Sequence, residues 1–174
     1  MPRRSNIAME IITRIATKKD LPAISTLYRE FADSEYALDF PVRDYLVSIH
    51  DRKRHLSMVL DEFSNPTRTW IVAEVDDVVV GTALVTVEQD LLFGGKAARI
   101  ELVVVASGFR KRGVAQKIMD FSRELAIKKG CRCAFLEVFD YNDGARSLYE
   151  RSGFQTYSRK MFLPLDAKKT RSES

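Results

Sequence analysis

The sequence predicts an α/β layer fold, and three observations carry that reading. Residues 69–105 are rich in β-branched side chains and broken by short turn signals, the mark of consecutive strands. On either side, over Leu21–Phe31 and Val114–Leu125, apolar residues recur every three or four positions, the mark of amphipathic helices. The C-terminal third alternates strand and helix patterns, whereas the middle third is a run of strands alone. The expected order is β-α-α-β-β-β-α-β-α-β-β, an antiparallel first half leading into a βαβα second half.

Glu10–Ile15 reads as a short first strand. Thr17 or Asp20 suits the N-cap of the helix that follows, and Pro22 must lie in its first turn, where a missing N–H costs nothing. Leu21, Ile24, Leu27, Tyr28 and Phe31 form the apolar stripe. Asp33–Pro41 is expected as a loop, then a second helix over Val42–Phe63 with Tyr45, Ile49, Leu56, Val59 and Phe63 inward, ended by Asn65-Pro66. Thr69–Val75 and Val78–Gln89 make a hairpin about Asp76-Asp77, and Gly81 within the second strand marks a bulge or a close backbone approach. Gly94-Gly95 turns the chain into a strand over Ala97–Val105. A helix over Gly113–Lys129 steps through Val114, Ile118, Phe121 and Leu125 and is closed by Gly130. Cys133–Val138 is a strand and Asn142–Ser152 a helix, capped by Asn142 and stopped by Gly153. Phe154–Tyr157 and Lys160–Leu163 are the last strand pieces.

The chain has 174 residues, about the size of one domain, placed here at 10–165 between an N-terminal tail over 1–9 and a basic tail over 166–174. The net charge is +4, of which Arg3 and Arg4 bring +2 and the C-terminal tail brings +1, leaving the domain close to neutral. A nucleic-acid face needs its cations on the domain itself, so no nucleic-acid partner is expected. No apolar run approaches the ~20 residues of a membrane helix, and no apolar segment follows the N-terminal arginines, so the expected location is the cytoplasm, away from membranes. Cys131 and Cys133 are too close for a structural disulfide in an extended strand and lack a second ligand pair. His50 and His55 would stand about 140° apart on a helix, so no metal site is expected.

The chemistry concentrates in Ile100-Glu-Leu-Val-Val-Val-Ala-Ser-Gly-Phe-Arg-Lys-Arg-Gly-Val-Ala115. A β-branched strand runs into a turn with three cations, then a glycine, then a helix. The first N–H groups of that helix have no intrahelical partner, and the helix dipole adds partial positive charge, so the turn suits a phosphate group. Gly113 lets backbone approach the oxygens, Ala115 keeps the next turn clear, and Arg110, Lys111 and Arg112 raise the local potential. Gly108 and Gly113 have the spacing of a nucleotide-hydrolysing loop, but Val114-Ala115 stands where such a loop needs Lys and Ser or Thr. No G-x-G-x-x-G is present either, which disfavours a dinucleotide site.

Arg110-x-x-Gly113-x-Ala115 resembles the pyrophosphate signature R/Q-x-x-G-x-G/A of the GNAT N-acetyltransferase superfamily. Leu136-Glu-Val-x-x-x-x-Asn142-x-x-Ala145-x-x-Leu148-Tyr149-x-x-x-Gly153-Phe154 resembles the family's final βα unit, and Trp70-Ile-Val-Ala-Glu…Val80-Gly81 resembles its second and third strands. Ser107 departs from the Pro that many relatives carry. The resemblance spans roughly Glu10–Leu163. It implies the GNAT fold, a central mixed, mostly antiparallel sheet of about six or seven strands flanked by helices. It also implies acetyl-CoA as cofactor and direct transfer of the acetyl group, in a ternary complex, to a primary amine on a small molecule or peptide. A homodimer would accord with family habit.

The same resemblance assigns residues. Tyr149 is the expected acid for the leaving thiolate, its other reading being a core aromatic beside Leu148. Glu101 is the candidate base, placed by strand alternation on the face of Val103 and Val105, its alternatives being a water relay or an edge carboxylate. Val103, Val104 and Val105 would offer backbone groups to the pantetheine arm, with the Val105 amide as oxyanion donor. Arg110, Lys111, Arg112, Gly113, Val114 and Ala115 would hold the diphosphate. Asn142 would be both N-cap and cofactor contact, and Tyr149 would touch the cofactor sulfur. Asp33, Glu35 and Asp39 could draw in a cationic amine, or simply be solvated. A non-catalytic acyl-CoA-binding regulatory module is the competing reading; it needs the anion site but neither Tyr149 nor Glu101.

Overall fold

The structure, a computed structural model, describes residues 9–36, 63, 65–163 and 165. Five strands form one sheet in the order β1-β2-β3-β4-β5: β1 (Ile12–Ile15), β2 (Arg68–Val75), β3 (Val78–Asp90), β4 (Gly95–Val105) and β5 (Cys133–Phe135). The first four run antiparallel to one another in turn, and β5 lies parallel to β4. Helix α1 (Leu21–Tyr36) covers one face; α2 (Val114–Lys128) covers the other, and α3 (Asp143–Arg151) adds its Leu148 and Tyr149 to that second side.

Among the described residues the strand count is lower than the sequence suggested. Phe154–Tyr157 and Lys160–Leu163 pair with nothing as strands, and Met161 and Leu163 stay exposed. Their alternation shows which side chains could share a face, but a strand also needs a neighbouring edge, and β5 offers only three residues. Of the loop expected over Asp33–Pro41, residues 33–36 belong to α1 instead, and the rest lies outside the described residues. The expected second helix over Val42–Phe63 lies outside the described residues except for Phe63, as does Asp39.

Each face of the sheet has its own core. Ile24 of α1 packs with Trp70, Val72 and Leu84. On the opposite face, Val114 and Ile118 of α2 meet Ala73, Val75, Val80 and Ala83, and Met119, Leu125 and Ala126 meet Ile71, Val85, Ala98 and Ile100. Ile118 is fully buried, which contributes about 2 kcal/mol for a side chain of its size. Gly81 is where α2 comes closest to the sheet: a Cβ there would lie 2.9 Å from Ile118 Cδ1 and 3.0 Å from Val114 Cγ1. It also adjoins a break in the β2–β3 register at Ala73/Glu74, so both sequence readings of this glycine hold. The hairpin turn Asp76-Asp77 has φ of 50° and 61°, the twist that a two-residue connection between antiparallel strands requires.

The start of α1 is tied to the sheet by charge. Asp20, 7% exposed, accepts hydrogen bonds from Thr17 N–H at 2.6 Å and from Arg14 at 2.8 Å, and Arg14 also pairs with Glu74 of β2. The Arg14 hydrogen bonds hold the Asp20 carboxyl far below the usual carboxylate range, against the opposing pull of burial.

Candidate functional site

β4 is the strand from which the site is built, and its two ends differ. From Ala97 to Arg99 it pairs with β3 on one side and β5 on the other, the last β5 pair being Arg99 with Phe135. Beyond that point β4 keeps β3 alone, and among the described residues no backbone bond joins Ile100–Val105 to Leu136–Val138. Within this free half the register with β3 slips, Thr82 facing Val104 but Leu84 facing Glu101. Two β4 residues, Leu102 and Val103, thus stand against Ala83 alone, and Leu102 adopts φ 53°.

That bulge corrects one sequence expectation. Because side chains alternate with a period of two, one inserted residue moves everything after it to the other face. Ala98 and Ile100 face α2, and so, after the bulge, do Val103 and Val105. Glu101 instead shares the α1 face with Leu102, and its Oε2 accepts a 2.9 Å hydrogen bond from the buried Thr86 hydroxyl. Glu101 therefore lies on the opposite side of β4 from Val103 and Val105.

The free half of β4 leads into the cationic turn. Ala106 N–H donates to Val80 O at 2.9 Å, so by antiparallel alternation the Val105 N–H and C=O point away from β3, toward the gap that β5 leaves. A short turn over Ser107–Phe109 follows, then Lys111 at φ 59° and Gly113 at φ 86°, and α2 begins at Val114. A left-handed φ at the residue before a helix suits only glycine well, which is what the sequence places there. No side chain caps this end, and the first intrahelical bond runs from Lys117 N–H to Gly113 O at 3.1 Å, leaving the amides of Val114, Ala115 and Gln116 without helical acceptors. Arg110, Lys111 and Arg112 are exposed around them. Arg112 lies over the Phe109 ring at 5.8 Å, and Arg110 Nε donates to Val105 O at 3.1 Å.

The turn is fastened from α1. Ser107 N–H donates to Glu30 Oε1 at 2.8 Å. Hydrogen bonds from the Ser107 hydroxyl and amide, with the charge of Arg110, hold the Glu30 carboxyl below its usual range. The sequence carried no signal for Glu30, which lies 77 residues from its partner and looks like any polar helix position.

Tyr149 and Asn142 come to the site on α3. Asn142 Oδ1 accepts from Ala145 N–H at 3.0 Å, the N-cap expected of it. Tyr149 packs partly buried against the cluster that also holds Ile100 and Val103, so it shares the α2 face with the valines. Phe154 returns over it, ring centroids 6.3 Å apart, fixed by Phe154 N–H bonding to Tyr149 O at 3.0 Å. Burial pushes the phenol above its ordinary pKa, so the proton stays on the oxygen. Its hydroxyl makes no hydrogen bond among the described residues.

Where β4 and β5 part, a polar cleft of about 280 Å³ opens, lined by Arg99, Ile100, Glu101, Leu102, Glu137 and Lys160. Glu137 and Lys160, which the sequence reading passed over, form an ion pair at its wall. No group of metal-binding side chains occurs among the described residues, and His50 and His55 lie outside them. No described helix is long and apolar enough to cross a membrane.

Comparison with known proteins bears on this arrangement. The model of the acetyltransferase (GNAT) family matches residues 25–154. An uncharacterized N-acetyltransferase of Lactobacillus delbrueckii subsp. lactis is 23% identical over 157 residues, covering 88% of this chain and 90% of the relative. The glucosamine 6-phosphate N-acetyltransferase of Trypanosoma brucei brucei is 28% identical over 122 residues, covering 69% and 75%. Among solved structures, aminoglycoside N-acetyltransferase AAC(6')-Iy, bound to a bisubstrate analogue of CoA and acetylneamine, superposes with a TM-score of 0.72 at 20% identity, covering 89% of this chain and 97% of that one. A Clostridium acetobutylicum protein described as a predicted acetyltransferase, solved with acetyl-CoA, gives 0.68 at 17% identity, covering 90% and 97%. These likenesses establish the shared fold.

Proposed function

Because this chain belongs to the acetyltransferase (GNAT) family, we propose that it moves an acetyl group from acetyl-CoA directly to a primary amine while both are bound. The observation that carries the reading is the pairing of uncapped amides at Val114–Gln116 with a strand end, Val103–Val105, that has no partner on its β5 side and whose Val105 backbone turns away from β3. A diphosphate fits the first, with Arg110, Lys111, Arg112 and Gly113 around it, and an extended pantetheine arm fits the second. Acetyl-CoA supplies an activated thioester. Val105 N–H is the donor placed to stabilise charge on the carbonyl oxygen, and Asn142 stands at the head of the helix that carries Tyr149.

The two faces of β4 then divide the work. Glu101, on the α1 face, is set to take a proton from the incoming amine, directly or through water. This matters because an alkyl ammonium with pKa ~10.4 is a free nucleophile in only about one molecule in 10³ at neutral pH. Tyr149, on the α2 face, is set to protonate the departing sulfur, and burial keeps it in the acid form. Entry of the amine from one side and exit of the thiol on the other needs no acyl-enzyme. The acceptor class we favour is a small amine, supported by the acceptors in the names of the trypanosomal relative and of the aminoglycoside enzyme.

Titration calorimetry with coenzyme A and a thiol-release screen over small amines and peptides test this together. Binding with thiol release for at least one amine is the expected result. Binding with no release from any acceptor would instead identify a regulatory acyl-CoA-binding module, and no binding would remove the proposal altogether.

A further inference from the structure

We propose that Lys160 is an internal acceptor, acetylated by its own chain when no external amine occupies the cleft. This rests on the reading that the cleft at Glu101 receives the amine. Lys160 Nζ hydrogen-bonds both Glu137 carboxylate oxygens, at 3.0 and 2.9 Å, and its side chain lines the same cleft as Glu101 and Leu102. Both partners are largely exposed, at 80% and 70%, so the pair is held weakly and the amine leaves it readily. Residues 154–163 form no strand ladder, so no sheet pairing holds Lys160 back from the gap. Attachment to the same chain gives its amine an effective concentration of about millimolar at the cleft, with no binding step needed. Lys96 and Lys129, by contrast, line a separate depression with Asn65, Arg68 and Glu88, and make natural controls.

In the step itself, the Nζ lone pair attacks the thioester carbonyl carbon; the C–N bond forms as the C–S bond breaks. Before the attack Nζ gives up its ammonium proton to Glu101 or water; after it the nitrogen loses a second proton to water, and the sulfur leaves as coenzyme A thiol with the proton of Tyr149, which water then restores. Nothing is oxidised or reduced. The acetylated side chain is neutral, so it releases Glu137, which then faces the cleft as an unpaired carboxylate available to a cationic acceptor.

The experiment incubates the full chain with acetyl-CoA and no amine, follows thiol release, and maps acetylation by peptide mass spectrometry. The expected result is release approaching one thiol per chain, with Lys160 labelled at least about ten-fold faster than Lys96 or Lys129, at a rate constant independent of protein concentration. Lys160→Arg should remove that equivalent, and Tyr149→Phe should slow labelling as much as it slows transfer to an external amine. Labelling that is equal across lysines, indifferent to Tyr149→Phe, or faster in proportion to protein concentration overturns the proposal. If external amines are acetylated and Lys160 stays unmarked, this inference fails alone. If neither amines nor Lys160 are acetylated, the transfer reading fails and takes it along.

Discussion

The two halves of β4 have opposite tasks, and the contrast explains the site. Ala97–Arg99 are locked between β3 and β5, with the small side chains of Ala97 and Ala98 fully buried and Arg99 paired with Glu88 of β3. Leu102–Val105 keep only β3, bulge once, and turn their remaining backbone groups to a gap. A free strand edge is ordinarily a liability, since it invites pairing with another chain. Here the gap is flanked by a charged cleft and a cationic turn, so the edge is open to a polar, extended ligand. In the proposed mode of binding, that edge is made available by ending one partner strand early.

Deleting Leu102 breaks this contrast most directly. Without the extra residue plain alternation is restored: Glu101 keeps the α1 face and Val103 and Val105 keep the α2 face, but the Leu102 side chain leaves the core on the α1 side and the strand loses its kink beside the gap. We expect a loss of about 3 kcal/mol of stability, the range of a truncated core leucine, read as a lower Tm together with weakened coenzyme A binding. A deletion variant with near-native Tm and unchanged coenzyme A affinity would show that the bulge is dispensable to both the fold and the open half.

A gentler test leaves the strand intact and removes the proton on its α2 side. Tyr149→Phe keeps the ring against Phe154 and the cluster below, so stability should hold. Loss of the acid should lower kcat by about 100-fold, the usual scale for a general acid, with the coenzyme A Kd nearly unchanged. The raised phenol pKa adds a sign: the proton is retained as pH rises, so the alkaline fall in kcat due to Tyr149 should begin above the ordinary tyrosine value of ~10. An unaltered kcat would return Tyr149 to its alternative reading as a packing residue.

The closed side of the sheet can be loosened without touching the open one. Asp20 ionises far more easily folded than unfolded, mainly through Arg14, so the stability it contributes is complete above an ordinary carboxylate pKa of ~4 and fades as the pH falls below it. Asp20→Asn should cost about 2 kcal/mol at neutral pH, less than a fully buried pair because Arg14 is partly exposed, and should flatten the acid side of the Tm–pH curve. Coenzyme A affinity at neutral pH should not follow. If it does, the two sides are coupled through α1.

Local signals in the sequence carried the scaffold well. The periodicity of Val114, Ile118 and Leu125, the turn at Asp76-Asp77, the Asn142 cap and the helix that opens after the cationic turn all depend on nearby residues, and all stand in the structure. The face of Glu101 was misjudged because alternation assumes an unbroken strand, and nothing in Ile-Glu-Leu-Val-Val-Val distinguishes the residue that bulges. The late strands were misjudged because pairing depends on an edge elsewhere in the chain. Glu30, Thr86 and the Glu137–Lys160 pair were missed for a related reason: their roles exist only once distant elements meet.

Glu30 offers the smallest expected effect and the sharpest test of how the open half is kept in shape. It receives Ser107 N–H at the point where β4 ends and the cationic turn begins, so it sets the path of the backbone that leads to Gly113. It also puts negative charge beside Arg110, which opposes an anion arriving there. Positioning and repulsion pull in different directions, and two substitutions separate them. Glu30→Gln keeps an acceptor for the amide and removes the charge; Glu30→Ala removes both. If positioning dominates, Glu30→Ala should raise the KM for acetyl-CoA about five-fold, the worth of one hydrogen bond near 1 kcal/mol, with kcat little changed, while Glu30→Gln stays close to the parent. If repulsion dominates, both variants should bind coenzyme A more tightly, and more so at low salt, because only a screened charge responds to ionic strength. Steady-state kinetics at two salt concentrations decides between them, and a kcat that falls with unchanged KM would place Glu30 in neither role.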